Sequence, residues 1–136
     1  MLRKDQQSAR ESYGEILSGT SRSYLVDVRS SKEWMKLGVP NFPDKPEKLI
    51  LCEWRKNPHM EINENFFEDL SMKLDLKKVE SLFFICAAGV RSQEAAIYTK
   101  KKSEEFGYSI HCINVFDGFN GNTTGILSLG LSLIHI

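Results

Sequence analysis

The segment Phe83-Phe84-Ile85-Cys86-Ala87-Ala88-Gly89-Val90-Arg91-Ser92 constrains the fold most, because an apolar strand pattern runs straight into a cysteine placed where a helix should begin. Helix N-termini leave backbone N–H groups unpaired and carry partial positive charge, so a thiolate held over one is stabilised. Arg91 adds a full positive charge nearby. Between Cys86 and Arg91 stand only the small or flexible residues Ala87, Ala88, Gly89 and Val90, so the loop can curl and aim its amides at a bound anion. The segment reads as a cradle for a sulfur-centred anion, with Cys86 as candidate nucleophile.

The rest of the chain supplies the layers around that loop. A polar helix is expected from about Asp5 to Ser18, with Ala9, Tyr13, Ile16 and Leu17 on one face and Gly19 as its stop. Tyr24 to Val28 reads as a β-branched, apolar strand, followed by Ser30 or Ser31 as a helix cap with Glu33 in the first turn. Further strands are expected at Lys48–Glu53, Ser81–Ile85 and Ser109–Val115, and further helices at Glu61–Leu74 and Ser92–Phe106. Strands alternating with helices imply crossover connections, hence an α/β fold with an open parallel sheet, helices on both faces and ligands at the carboxyl ends of the strands. Cys86 lies at such an end. The breaker-rich stretch from Gly38 to Pro46 is read as a loop within one domain, because the strands on either side belong to one sheet.

Composition bounds the partners. The chain has 136 residues, enough for one domain with a sizeable core. Lys plus Arg equals Asp plus Glu, 18 against 18, so no excess positive charge is available for a phosphate backbone or an anionic bilayer. The reading is therefore no nucleic acid and no membrane as partner, and no apolar run approaches a bilayer span. Met1-Leu2-Arg3-Lys4-Asp5 lacks the apolar stretch of a secretory signal, which favours a cytoplasmic address. Cys52, Cys86 and Cys112 are odd in number and widely spaced, fitting neither a disulfide framework nor a zinc site.

The pattern Cys86-x-x-Gly89-x-Arg91-Ser92, taken with Leu25-Val26-Asp27-Val28-Arg29 and Glu33-Trp34, resembles the rhodanese family of sulfurtransferases over roughly residues 20 to 121. Cysteine phosphatases place one more residue between Cys and Arg, giving a ring wide enough for phosphate; the smaller ring here suits one terminal sulfur. The resemblance implies a rhodanese-like open parallel sheet, a persulfide formed on Cys86, and transfer of its sulfur to a thiol or cyanide-like acceptor. It implies a small-molecule sulfur donor, a thiol or protein acceptor, and no metal or organic cofactor. By the same resemblance Arg91 closes the loop and pairs with a carboxylate from elsewhere in the fold, Asp27 organises the site, and Arg29 pairs with Glu33. Ser92 is either a helix cap or a hydrogen-bond partner of the sulfur.

Two departures from the family pattern bear on substrate. Where many members carry arginine directly after the cysteine, this chain has Ala87, so poor use of thiosulfate and preference for a less charged persulfide donor are expected. Where relatives carry a Gly-His-Ile-like turn, it has Gly38-Val39-Pro40, beside the expected pocket. The plainer readings are a buried structural cysteine, a surface arginine, and a non-catalytic rhodanese-like module that binds or senses through the same loop. Cys52 and Cys112, within apolar strand patterns, are expected to be inert core thiols, and neither His59 nor His111 is near Cys86 in sequence. Residues 1–125 are assigned to the domain. The last six residues read like the translated end of a sequencing-library adapter, so 126–136 are expected to be a non-native or truncated tail.

Overall fold

A computed structural model describes residues 5–19, 22–119 and 132–134 of the chain. Its centre is a five-stranded sheet built from β1 (Gln6–Gln7), β2 (Ser23–Asp27), β4 (Leu49–Leu51), β7 (Ser81–Ile85) and β8 (His111–Val115), in the order β1-β8-β7-β2-β4. Every pairing in it is parallel. Parallel neighbours need crossovers, and these are supplied by α1 (Ala9–Ser18), α2 (Ser31–Leu37), α3 (Phe66–Lys73) and α4 (Val90–Glu105). The fold is thus α/β, an open parallel sheet with helices on both faces as the alternation predicts.

The two-residue period of the strands divides the core. Phe83 and Ile85 of β7, Leu25 of β2 and Ile113 and Val115 of β8 pack with Ala9, Tyr13 and Ile16 of α1. Leu82, Phe84 and then Cys86, with Val26 and Cys112, face Phe66, Phe67 and Leu70 of α3 and Ala95 and Ala96 of α4. All five residues of β7 are buried, as the apolar run from Leu82 to Ile85 requires of a central strand covered on both sides. Among the described residues no helix is long and apolar enough to cross a membrane.

Several boundaries differ from the sequence expectation. The first helix starts at Ala9 rather than Asp5, because Gln6 and Gln7 extend the sheet beside β8 and Ser8 caps the helix, its Oγ accepting from Glu11 N at 3.1 Å. The third helix starts at Phe66 rather than Glu61. Residues Glu61–Ile62 (β6) instead pair antiparallel with Arg55–Lys56 (β5), and Asn63 then folds the chain through an Asn65 N to Oδ1 bond of 3.0 Å. Within the 38–46 loop, Val39–Asn41 (β3) pairs antiparallel with Ser132–Ile134 (β9), and Phe42 packs edge-on against Tyr13 at 6.1 Å. Of the expected tail, residues 126–131 and 135–136 lie outside the described residues.

Candidate active site

Cys86 is the first residue past β7, and its carbonyl accepts Phe119 N at 3.0 Å, so the turn after β8 clasps the start of the loop. Gly89 brings the chain round with φ +93°, a left-handed conformation. A Cβ there would meet the Phe116 carbonyl oxygen at 2.3 Å, so only glycine satisfies both the turn and the close approach. Gly118 closes the other side, since a Cβ on it would lie 2.5 Å from the Ala87 oxygen and 2.6 Å from that of Cys86.

Folding the loop this way aims two main-chain donors at the sulfur. Gly89 N lies 3.1 Å and Ser92 N 3.3 Å from Cys86 Sγ, with Ser92 Oγ at 3.2 Å. Ala87, Ala88, Val90 and Arg91 contribute N–H groups to the same turn, and no acceptor for them is found among the described residues. Cys86 itself is 1% exposed. The other thiols differ in kind: Cys52 donates to the Phe66 carbonyl at 3.8 Å and Cys112 to that of Ile110 at 3.9 Å, and burial pushes both up to about 12. Donation from the main chain to sulfur distinguishes Cys86 alone among the three.

Arg91 reaches back to α2, giving Glu33 a two-pronged contact of 2.7 and 3.0 Å. Glu33 also accepts from the backbone N and the Oγ of Ser30, completing the capping box that starts α2. The expected pairing of Arg29 with Glu33 is therefore corrected: Glu33 belongs to Arg91, and Arg29 to Asp27. Arg29 bends back over the end of β2 to hold Asp27 at 2.8 Å, donates to the Gly38 carbonyl at 2.8 Å, and lies 4.1 Å from the centre of the Phe119 ring. Both partners are buried, so a carboxylate and a guanidinium satisfy one another where solvent cannot.

The Arg91 hydrogen bonds, ahead of those from Ser30, hold the Glu33 carboxyl down at about 2. Its stabilising contribution is complete above the ordinary carboxylate range near 4.5 and disappears as pH falls towards 2. Glu33→Gln is expected to flatten the acid limb of a stability–pH curve in that window by on the order of 2 kcal/mol, after allowance for solvent screening. Urea midpoints between pH 5 and pH 2.5 measure this; parallel curves for the two proteins would contradict it.

Sequence reasoning missed Asn114. It follows Phe84 in register across the sheet on the Cys86 face, accepts Ser92 Oγ at 2.6 Å, and donates to Gln6 Oε1 and the Gly89 carbonyl at 2.9 and 3.2 Å. Its signal was a polar residue inside the apolar run Cys112-Ile113-Asn114-Val115. His111, at the start of β8 opposite Ser81, lies at the other end of the sheet from Cys86, and His59 is exposed between β5 and β6.

No family model matches the chain. The uncharacterized protein RC0915 of Rickettsia conorii is 33% identical over 108 residues, 79% of this chain and 78% of that protein. The uncharacterized protein RP600 of Rickettsia prowazekii is 34% identical over 102 residues, 75% of this chain and 73% of that protein. Among solved structures, Rv0390 from M. tuberculosis superposes with a TM-score of 0.66 at 27% identity, covering 86% of this chain and 81% of the other. A rhodanese-like domain protein from Staphylococcus aureus, 21% identical, superposes with a TM-score of 0.52 over 87% of this chain and 90% of its own, a likeness of fold.

Proposed function

We propose that this chain, which belongs to the same family as the rickettsial proteins RC0915 and RP600 and has the rhodanese-like fold, is a sulfurtransferase that carries a sulfane sulfur on Cys86. The observation that carries the reading is the convergence of Gly89 N and Ser92 N on Sγ, within a ring whose remaining amides have no acceptor among the described residues. The thiolate of Cys86 attacks the outer sulfur of a donor, an S–S bond forms as the donor's own S–S bond breaks, and a thiolate, or sulfite from thiosulfate, departs. The negative charge then sits on the outer persulfide sulfur, where the amides of Ala87, Ala88, Val90 and Arg91 are the available donors. An acceptor thiolate or cyanide attacks that sulfur, and Cys86 leaves as thiolate.

Donor class follows from charge. Ala87 brings no cation to the rim, and Arg91 is engaged by Glu33, so a hydropersulfide or a protein persulfide suits the loop better than doubly charged thiosulfate. A cytoplasmic setting with a thiol or protein acceptor is the matching context. The burial of Cys86, 1% exposed, favours a second reading as a rhodanese-like module that binds without transferring sulfur.

Intact-mass measurement separates them. After incubation with a low-molecular-weight hydropersulfide, the parent is expected to gain one sulfur atom that Cys86→Ser does not, and to load more slowly with thiosulfate. A parent that gains none would support the binding reading, and turnover of a phosphate ester would support a phosphatase instead.

A further inference from the structure

We infer that Asn114 is a positioning residue that, through the single hydroxyl proton of Ser92, disfavours bare negative charge on Cys86 Sγ and so biases the protein towards its neutral-thiol and sulfur-loaded forms. This deepens the sulfurtransferase reading and rests on it for the loaded form alone. The orientation of the Asn114 amide is fixed by its surroundings. Its Nδ2 faces the Gly89 carbonyl at 3.2 Å, a group that can only accept, so Oδ1 must be the atom turned towards Ser92. Gln6 Oε1 at 2.9 Å accepts the second Nδ2 proton, and Gln6 is in turn held through its own Nε2 by Gln93.

The consequence falls on the serine. Ser92 Oγ lies 2.6 Å from Asn114 Oδ1, which offers no proton, so the hydroxyl proton is spent there. Towards Cys86, 3.2 Å away, the same oxygen presents a lone pair. A neutral thiol is well served, because Gly89 N and Ser92 N approach its lone pairs and its own S–H is donated to Ser92 Oγ. Charge on Sγ faces that lone pair instead, and is relieved only if the hydroxyl swings away from Asn114 and leaves buried Oδ1 unpaired. Once a second sulfur is attached the charge moves outward to the ring of amides, and the Ser92–Asn114 bond survives intact.

The charged groups on the elements packed round Cys86 are Arg91 on α4, Glu33 on α2, Asp27 at the end of β2 and Arg29 just after it, and Asp117 after β8; none is altered by substituting Ser92 or Asn114. The rate of Cys86 alkylation by iodoacetamide at pH 7, read by peptide mass spectrometry on the full chain, tests the arrangement. Asn114→Ala frees the hydroxyl to donate to sulfur, and is expected to raise the rate by on the order of 10-fold and shift its pH profile downwards, while lowering the fraction loaded at equilibrium with a hydropersulfide. Ser92→Ala removes the opposing lone pair without supplying a donor, so its rate should lie between those two proteins. In the Ser92→Ala background, Asn114→Ala should change nothing.

An unchanged or slower rate in Asn114→Ala, or a rate in Ser92→Ala below that of the parent, overturns the inference, as does an Asn114 effect of equal size with alanine at position 92. The Ser92→Ala comparison stands even if Asn114→Ala does not fold. Sulfur uptake is read on the same samples: a parent that takes up no sulfur rejects the transferase reading, whereas the order of alkylation rates judges Asn114 independently.

Discussion

Gly89→Ala is expected to destabilise the protein by about 2–4 kcal/mol and to lower the rate of sulfur loading at least on the order of 100-fold. The backbone at this position has φ +93°, which costs a residue with a Cβ about 1–2 kcal/mol by itself. The larger part is steric, because the new methyl would stand 2.3 Å from the Phe116 carbonyl, main chain whose N–H is held by Gln7 at 3.1 Å. The loop must therefore open, and opening it carries Gly89 N away from Cys86 Sγ. Gly107 provides the control: it too has positive φ, +77°, but nothing lies within 4 Å of an added Cβ. Gly107→Ala should cost about 1 kcal/mol and leave loading unchanged. Equal loading rates in the two variants would show that the loop geometry does not matter to the chemistry.

That contrast also explains what could be read from the sequence. Strand β7 and the turn after it were legible, because an unbroken apolar run, a glycine and a helix pattern are all local signals. The need for Gly89 was visible as a motif, but the reason for it lies in Phe116, brought there by the β7–β8 pairing. Long-range partners are what local pattern does not encode. The pairing of Arg29 with Glu33 was what the family resemblance implied. The chain instead crosses them, giving each a partner of better geometry: Asp27 two residues back, and Arg91 from another helix. Helix starts slipped for a related reason, since Gln6, Gln7, Glu61 and Ile62 suit a helix in isolation and are recruited as strands by the edges beside them.

Arg29→Met is expected to cost about 3–5 kcal/mol, because it leaves the Asp27 carboxylate buried without its counter-charge. The guanidinium also ties the Gly38 carbonyl to the end of β2 and lies against Phe119, whose N–H holds the Cys86 carbonyl at 3.0 Å, so the loss extends to both ends of the site. Replacing both members, Asp27→Asn with Arg29→Met, should recover a substantial part of that loss, since the isolated charge rather than the missing attraction dominates it. Urea unfolding of the two single variants and the double variant measures the coupling. The pair acts through support and does not touch the reacting sulfur, so sulfur loading per folded molecule should fall far less in Arg29→Met than in Gly89→Ala. A double variant no more stable than Arg29→Met would mean that the bonds to Gly38 and Phe119, and not the relief of charge, are what Arg29 contributes.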